Sequence, residues 1–209
     1  MLVHTMVYRR SPLMQERLAD NRQRILRAAR RLVASGGFRA ASISAVAAEV
    51  GLSTGAMYRY FPSKKDLFVE VLDEAVTHEV AILREIVDRP APAMERLRAA
   101  VESFAARALQ GPYLAYAFIA EPTDPEVEAA RIVCRQRFGE VFKDVLRAGI
   151  GSGEFPEQSV EVSAACIVGA FTEALVRPVA PSSKASDAHA LIDAIADFCV
   201  RAAMGSTPG

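Results

Sequence analysis

The 209-residue sequence contains no tryptophan, only three histidines and only three cysteines. Cys134, Cys166 and Cys199 lie far apart and form no C-x-x-C spacing, which argues against a disulfide framework and against a zinc site. We interpret the cysteines as small buried hydrophobic residues in a reducing cytosol. The sequence therefore predicts neither a metal nor another cofactor.

Long apolar runs are also missing. No uninterrupted run approaches the roughly 18 residues that a membrane-spanning helix needs. The N-terminal stretch MLVHTMVYRRSPL has its arginines after a short apolar segment, which is the reverse of the order in a signal peptide. These features predict a cytoplasmic protein without a membrane partner.

The sequence has no excess charge of either sign: 25 basic residues balance 25 acidic ones, so the net charge is zero. The two signs are nevertheless unevenly distributed along the sequence. Residues 1–65 hold 12 Lys and Arg against 3 Asp and Glu, whereas residues 66–209 hold 13 against 22. Such asymmetry suggests that the N-terminal part meets a polyanion. A solvated basic surface without a partner would have the same composition, so charge alone leaves both interpretations open.

Catalytic motifs are missing as well. The histidines are isolated, and the sequence has no nucleophile motif, no metal-ligand spacing and no phosphate-binding loop. Glu121 and Arg131 are polar groups that a site could use, but no reaction follows from them. We therefore expect a protein that is not an enzyme.

Helical signals fill the rest of the sequence, and no β alternation of useful length occurs. Gly36-Gly37 ends a first helix that begins near residue 18, Ser42 and Ser53 are N-caps for two short helices, and the S-x-x-D sequence at Ser63 starts a fourth that extends to about Pro90. Further helices are predicted at roughly 93–109, 113–120, 124–148, 158–177 and 186–204. We predict an all-α fold of about nine helices, with a three-helix helix-turn-helix domain at 13–65 and a larger ligand-binding and dimerisation domain at 66–205.

The stretch GLSTGAMYRYFPSKKDLF, residues 51–68, surrounds a very short helix with aromatic and basic residues. Met57 and Phe61 share one helical face and can pack on the preceding helix, which leaves Gly55 and Arg59 pointing outward. The N-terminal residues of a recognition helix lie against base edges in the major groove, and hydroxyl or ammonium groups nearby reach phosphates. The predicted DNA contacts are Ser42, Ser44, Thr54, Gly55, Tyr58, Arg59, Tyr60 and Lys64. Core tyrosines and solvated lysines remain the alternative interpretation of single residues.

Residues 18–68 closely resemble the N-terminal DNA-binding domain of the TetR family of transcriptional regulators. The matching segments are Ala28-Ala29, Gly36-Gly37-Phe38, Ser42-Ile43, Val46-Ala47, Val50-Gly51-Leu52-Ser53 and the run from Tyr58 to Leu67. The resemblance implies that Thr54, Gly55, Tyr58, Arg59, Tyr60 and Lys64 lie at or near DNA. It also implies a homodimer on an inverted-repeat operator, and most often a repressor that a small-molecule ligand releases. The alternative is an all-α ligand-binding or enzymatic protein without DNA-binding activity.

Two predicted helices, 158–177 and 186–204, are apolar nearly all round. A helix that is apolar on every side has to be buried on every side. We therefore expect a two-fold dimer through a four-helix contact, which the family resemblance also implies, with one large monomeric core as the alternative. The residues predicted for the interface are Ile167, Phe171, Ile195 and Phe198.

A ligand cavity is predicted in the segment 99–148, where Gly111-Pro112 interrupts the helices. Aromatic residues with polar tips near an interrupted helix suit a small-molecule site, although ordinary core packing uses the same residue types. The predicted pocket residues are Phe104, Tyr113, Tyr116, Arg131 and Phe138. The expected effector is an unidentified, largely apolar small molecule.

Overall fold

The computed structural model describes residues 12–181 and 187–205, and these ranges contain nine helices and no strand, which confirms the predicted all-α fold. Most of the N-terminal stretch MLVHTMVYRRSPL, on which the signal-peptide argument rests, lies outside the described residues. The helices are α1 (Pro12–Ala40), α2 (Ile43–Val50), α3 (Thr54–Met57), α4 (Lys64–Val87), α5 (Ala93–Gln110), α6 (Pro112–Ile119), α7 (Pro125–Ser152), α8 (Val160–Val179) and α9 (Ala188–Met204).

A kink at Gly36-Gly37 divides α1, at the point where the sequence predicts the end of the first helix. Gly36 has an extended φ of −170° and Gly37 a left-handed φ of 73°, so neither residue is helical. A side chain at Gly37 would be strained, and its Cβ would meet the Glu121 carboxylate at 2.5 Å. Glycine is therefore required where the chain turns from the long part of α1 towards α2.

Serine caps begin the two short helices α2 and α3, as predicted. Ser42 Oγ accepts a hydrogen bond from the backbone N–H of Ala45, and Ser53 Oγ accepts one from that of Ala56. Helices of this length are unstable alone, so tertiary packing has to hold them. Met57 and Phe61 supply it, because both are buried in the core that α1 and α2 share. We refer to α1, α2 and α3 together as the head.

The long helix α4 joins the head to the rest of the molecule. Ser63 caps it, since its hydroxyl accepts from the backbone N–H of Asp66 and donates to the Asp66 carboxylate at 2.7 Å. α4 packs against α1 on one side and against α5 and α7 on the other. A displacement of this helix would therefore change packing contacts both in the head and in the rest of the molecule.

The larger helical part is built on α5, α7, α8 and α9. α5 packs on α9, and α7 packs on α8. An aromatic cluster lies at the centre, where the ring of Phe171 is 4.9 Å from that of Phe104 and 5.4 Å from that of Phe142. Tilted ring pairs at these separations add stability beyond the area that they bury.

Helix α8 corrects the expectation that no segment has the length and apolarity of a membrane span. An 18-residue window within its 20 residues has a mean hydropathy of 1.5, which is sufficient by length and composition. The uninterrupted apolar runs are shorter because Thr172 and Glu173 break them, but an average over the helix tolerates such breaks. One face of α8 is buried against α7 and α9 and includes Phe171, as in the core helix of a folded domain.

Candidate functional site

The outward side of α3 carries the residues predicted to read bases. Thr54, Gly55 and Arg59 are exposed, and Tyr58 is 51% exposed, whereas Met57 on the opposite side is wholly buried. The orientation predicted for α3 from its helical periodicity is therefore confirmed. Because no neighbouring atom in residues 12–181 and 187–205 lies within 4 Å of a Cβ added at Gly55, the start of α3 presents an open backbone surface.

Hydroxyl groups lie close to this surface on α2 and in the turn after α3. The hydroxyls of Ser42 and Ser44 are 3.0 Å apart at the start of α2, and Ser44 is exposed. The Tyr60 hydroxyl accepts a hydrogen bond from Asn21 Nδ2 at 3.1 Å, which leaves its own proton available. These groups can donate to an anion such as a phosphate oxygen.

Ion pairs balance part of the positive charge of the head and of the first turn of α4. Arg31 pairs with Glu49 at 2.7 Å, and Lys65 pairs with Glu126 at the start of α7. The Glu126 carboxylate also raises the pKa of Lys65, so this lysine stays charged but its charge is balanced. Arg59 and Lys64 form no ion pair with any described residue, and the Lys64 ammonium lies 4.9 Å over the Phe68 ring. Their charges are free to neutralise phosphates.

A cavity of about 120 Å³ lies below the head, among α1, α4, α5, α6, α7 and α8. Three predicted pocket residues, Phe104, Arg131 and Phe138, line it. The wall is otherwise mostly apolar; its other members are Arg30, Leu72, Ala75, Val76, Glu79, Arg107, Ala108, Gly111, Leu114, Ala115, Phe118, Ile119, Cys134, Arg135 and Thr172.

Tyr113 and Tyr116 do not line this cavity, so their assignment to its wall was wrong. Helix α6 turns its other face inward, with Leu114, Ala115 and Phe118 on the wall. Tyr113 is 41% exposed on the outer side, and Tyr116 is only partly buried. The sequence identifies the helix but not its rotation, because α6 is apolar on nearly every side.

The cavity wall carries more positive than negative charge. Arg107 Nε donates to the Glu79 carboxylate at 2.9 Å, which balances one guanidinium. Arg131 pairs with Glu128 at 2.6 Å. Arg30 and Arg135 also line the cavity, and neither forms an ion pair within the described part of the chain. The site thus combines an apolar interior with two uncompensated cations.

Glu121 has a role that sequence reasoning missed. It is 7% exposed and lies between α6 and α7, and its carboxylate accepts a hydrogen bond from the backbone N–H of Phe38 at 2.8 Å. A contact between residues 83 positions apart leaves no local signal in the sequence. In the sequence, Glu121 is an acidic residue that follows an apolar helix, and no motif around it indicates a contact with Phe38.

The interface residues predicted on α8 and α9 separate into two groups. Ile167 and Phe171 are buried inside the protomer, so their assignment to a partner contact was wrong. Ile195 is 6% exposed at the floor of a groove between α8 and α9, and Phe198, 54% exposed, lines the same groove. Small side chains form the rest of this surface. We call it the seam face; it consists of Val162, Cys166, Ala170, Ala174, Ala194 and Phe198.

The thiols are not equivalent. Cys134 and Cys199 are buried, and burial raises the pKa of each to about 11. Cys166 is exposed on the seam face, which corrects the expectation that all three cysteines are buried. Among the described residues, no group of three or more His, Cys, Asp or Glu side chains is placed to hold a metal ion.

Two matches with known families cover most of this architecture. Residues 25–71, from α1 into α4, match the family described as "Bacterial regulatory proteins, tetR family". Residues 90–175 match "Tetracyclin repressor-like, C-terminal domain". The chain belongs to the TetR family. It is a DNA-binding transcriptional regulator.

Relatives of this TetR-family regulator include the fatty acid metabolism regulator protein of Bacillus subtilis, which is 27% identical over 84% of the chain and 92% of that protein. The transcriptional repressor KstR of Mycolicibacterium smegmatis is 37% identical over 34% of the chain and 35% of that protein. The structure of FadR from Bacillus subtilis in complex with stearoyl-CoA superimposes with a TM-score of 0.74 over 86% of this chain and 98% of that one, at 22% identity. The named relatives are regulators rather than enzymes, which favours DNA binding over the alternative function.

Proposed function

We propose that this TetR-family regulator is a dimeric repressor that binds an inverted-repeat operator and leaves it when a small-molecule effector enters the cavity. The observation that carries the proposal is the open, exposed start of α3 on a head joined through α4 to a partly cationic apolar cavity. The proposed DNA-binding domain is 13–65 and the effector and dimerisation domain is 66–205. A bacterial regulator of this kind would act in the cytoplasm, where its DNA is.

The proposed DNA contacts divide into base reading and phosphate binding. Thr54 and Arg59 lie exposed on and just after α3, where a recognition helix meets base edges. Gly55 allows close approach of the backbone. The remaining residues, Ser42, Ser44, Tyr58, Tyr60 and Lys64, carry hydroxyl or ammonium donors that suit phosphate oxygens.

Selection of bound sequences from random DNA by the purified protein tests this function. Two recognition helices related by a two-fold axis require an inverted repeat, with half-sites about 34–36 Å apart on one face of the duplex or at a multiple of that spacing. Enrichment of such repeats is the expected result. A library that emerges without any enriched sequence would contradict sequence-specific binding.

Lys64→Ala should weaken binding to operator and to unrelated DNA alike. Because the Lys64 ammonium forms no ion pair with a residue that the structure describes, its removal should reduce the slope of log affinity against log salt by about 0.9 for each phosphate that it neutralises. The measurement is a fluorescence anisotropy titration at several salt concentrations. Lys143→Ala is the matched control, because Lys143 lies on α7 and pairs with Glu140 and Glu161. A weakening confined to the operator, at an unchanged slope, would show that Lys64 does not bind phosphate.

The proposed dimer forms through the seam face. Exposed apolar residues on two neighbouring helices, with small side chains between them, suit close packing against a second copy of α8 and α9. A two-fold axis there would place the same surface on both protomers. Family membership supports this arrangement, since the dimer is typical of TetR regulators.

The proposed effector has an apolar body and an anionic group, as in a fatty acyl-CoA or a fatty acid. The apolar wall suits an acyl chain, and Arg30 and Arg135 suit the anion. Two comparisons support this class, namely the relative that regulates fatty acid metabolism and the FadR structure that holds stearoyl-CoA.

Effector binding would have to enlarge the cavity. Sites for ligands of drug size measure about 300–1,000 Å³, against about 120 Å³ in this protein. Leu72, Ala75, Val76 and Glu79 of α4 line the cavity, so enlargement would displace the helix whose first turn carries Lys64. Displacement of α4 in both protomers would change the distance between the two heads, and an effector that binds better to that state would release the operator.

A further inference from the structure

Arg131 is buried, yet one of its donors has no acceptor. The side chain lines the cavity and the residue is only 3% exposed. One terminal nitrogen donates to Glu128, and the other donates to the backbone carbonyls of Ala117 and Glu121. Nε has no hydrogen-bond partner among the described residues. Buried polar groups are nearly always paired, so an unpartnered donor on a cavity wall indicates a missing acceptor.

The same guanidinium is connected to the head through a single intervening residue, Glu121. It holds the backbone of Glu121, whose carboxylate accepts from the N–H of Phe38. It also lies over the Phe38 ring, with its central carbon 5.9 Å from the ring centroid. Phe38 follows Gly37, where the left-handed backbone leaves room for the Glu121 carboxylate. Cavity and head therefore meet at one buried cluster, which consists of Arg131, Glu121, Gly37 and Phe38.

We propose that Arg131 Nε donates to an oxygen of the effector, either a carboxylate or a thioester carbonyl, and that Arg131 and Glu121 carry the effect of this bond to Gly37 and Phe38. The inference rests on the proposed effector function and assigns its coupling residues. A guanidinium holds its five N–H groups in one rigid plane. Rotation towards a new acceptor at Nε therefore changes the bonds to Ala117 and Glu121 at the same time.

Glu121 is the positioning residue in this scheme, because it does not line the cavity. Its carboxylate fixes the backbone at the kink from which α2 and α3 follow. Loosening the bond to Phe38 would let the head change its angle to the rest of the molecule. Phe118 strengthens the connection, since it lines the cavity and its ring centroid is 6.2 Å from that of Phe38.

The experiment compares Glu121→Ala with Glu154→Ala in the full-length protein. Glu154 is a matched control, because its carboxylate also accepts backbone N–H bonds from a distant segment, at Ala93 and Met94. Operator affinity is measured with and without stearoyl-CoA, and stearoyl-CoA affinity is measured separately. Stearate and free coenzyme A serve as further probes that distinguish the acyl group from the nucleotide.

In the wild type, stearoyl-CoA should reduce operator affinity by a factor in the usual allosteric range, about 5- to 150-fold. Glu121→Ala should still bind both the operator and stearoyl-CoA, but the reduction should fall towards one. Glu154→Ala should show the same reduction of operator affinity by stearoyl-CoA as the wild type. Arg131→Lys retains the charge but lacks the Nε donor, so it should bind stearoyl-CoA at least about tenfold more weakly, as the removal of a charge-assisted hydrogen bond implies. Hydrogen exchange at the Phe38 amide should become faster when stearoyl-CoA binds the wild type.

The possible failures are distinguishable. A wild type that responds to stearoyl-CoA, together with a Glu121→Ala variant that responds equally, overturns the coupling and leaves the proposed function intact. An Arg131→Lys variant with unchanged stearoyl-CoA affinity overturns the bond at Nε. A wild type that binds the operator but responds to none of the three probes contradicts the proposed effector class, and this inference fails with it. Thermal unfolding of each variant shows whether it is folded.

Discussion

Phe198→Glu is expected to produce a folded monomer that has lost most of its affinity for the operator. Phe198 is 54% exposed on the seam face, so the glutamate is solvated in the monomer. In a dimer the same carboxylate would be buried without a partner, which strongly disfavours association. Two linked heads bind DNA about 100- to 10,000-fold better than one, so affinity should fall within that range. Analytical ultracentrifugation and operator titration measure the two effects.

Phe171→Glu is the contrasting control on the neighbouring helix. Phe171 is wholly buried between Phe104 and Phe142, so a charge there should unfold the protomer and abolish its helical circular dichroism signal. Comparison of the two variants distinguishes loss of the dimer from loss of the fold. A folded Phe198→Glu monomer with full affinity for the inverted repeat would exclude the dimeric mechanism.

Cys166 provides an independent measure of the same interface. It is exposed on the seam face, while burial holds the pKa of the other two thiols at about 11 and leaves them unreactive near neutral pH. Alkylation should therefore modify Cys166 slowly in the dimer and rapidly in Phe198→Glu. Equal rates in both proteins would place the interface elsewhere.

Local signals explain what could be predicted from the sequence. Helices α2, α3 and α4 each begin after a serine whose hydroxyl accepts a backbone N–H three residues later, and that interaction lies within a four-residue window. The kink at Gly36-Gly37 and the burial of Met57 likewise follow from conformational preference and helical periodicity. The fold class and the outward face of α3 were therefore predictable from the residues themselves.

Rotation of uniformly apolar helices was not predictable. In α6 and α8 nearly every position is apolar, so the sequence does not distinguish the inward face from the outward one. Tyr113 was assigned inward and lies outward, and Phe171 was assigned to a partner and lies in the protomer's own core. Packing against the other helices decides these rotations, and packing depends on contacts between segments far apart in the sequence.

The buried polar cluster was unpredictable for a related reason. Glu121 and Arg131 are ordinary residues in a helical sequence, and their contacts form only where the loop after α6 meets α7 and the kink in α1. Gly37 was predicted as a helix terminator, which it is. Its second role, to leave space for a carboxylate from a distant loop, becomes visible only in three dimensions.

Gly55→Leu is expected to weaken specific DNA binding strongly while leaving the fold intact. The Cβ position at Gly55 is open and the residue is exposed, so a leucine would extend into solvent in the free protein. Leucine also favours a helix over glycine by up to about 1 kcal/mol, so the melting temperature should stay the same or rise. On the operator, the side chain would keep the start of α3 away from the base edges. Since one good base contact contributes about 1–3 kcal/mol, specific affinity should fall by about 5- to 150-fold for each contact that is lost.

A graded series makes this last result specific to the recognition helix. Gly55→Ala should have a smaller effect than Gly55→Leu, because the methyl group displaces the helix less. Gly151→Ala near the end of α7 is the control, since this glycine is also exposed with an open Cβ position but lies in the larger helical part, and the variant should bind the operator as the wild type does. Binding to unrelated DNA should persist in all three variants, because phosphate contacts from Lys64 and its neighbours remain. A Gly55→Leu variant that is folded and binds the operator with unchanged affinity would show that the start of α3 does not enter the major groove.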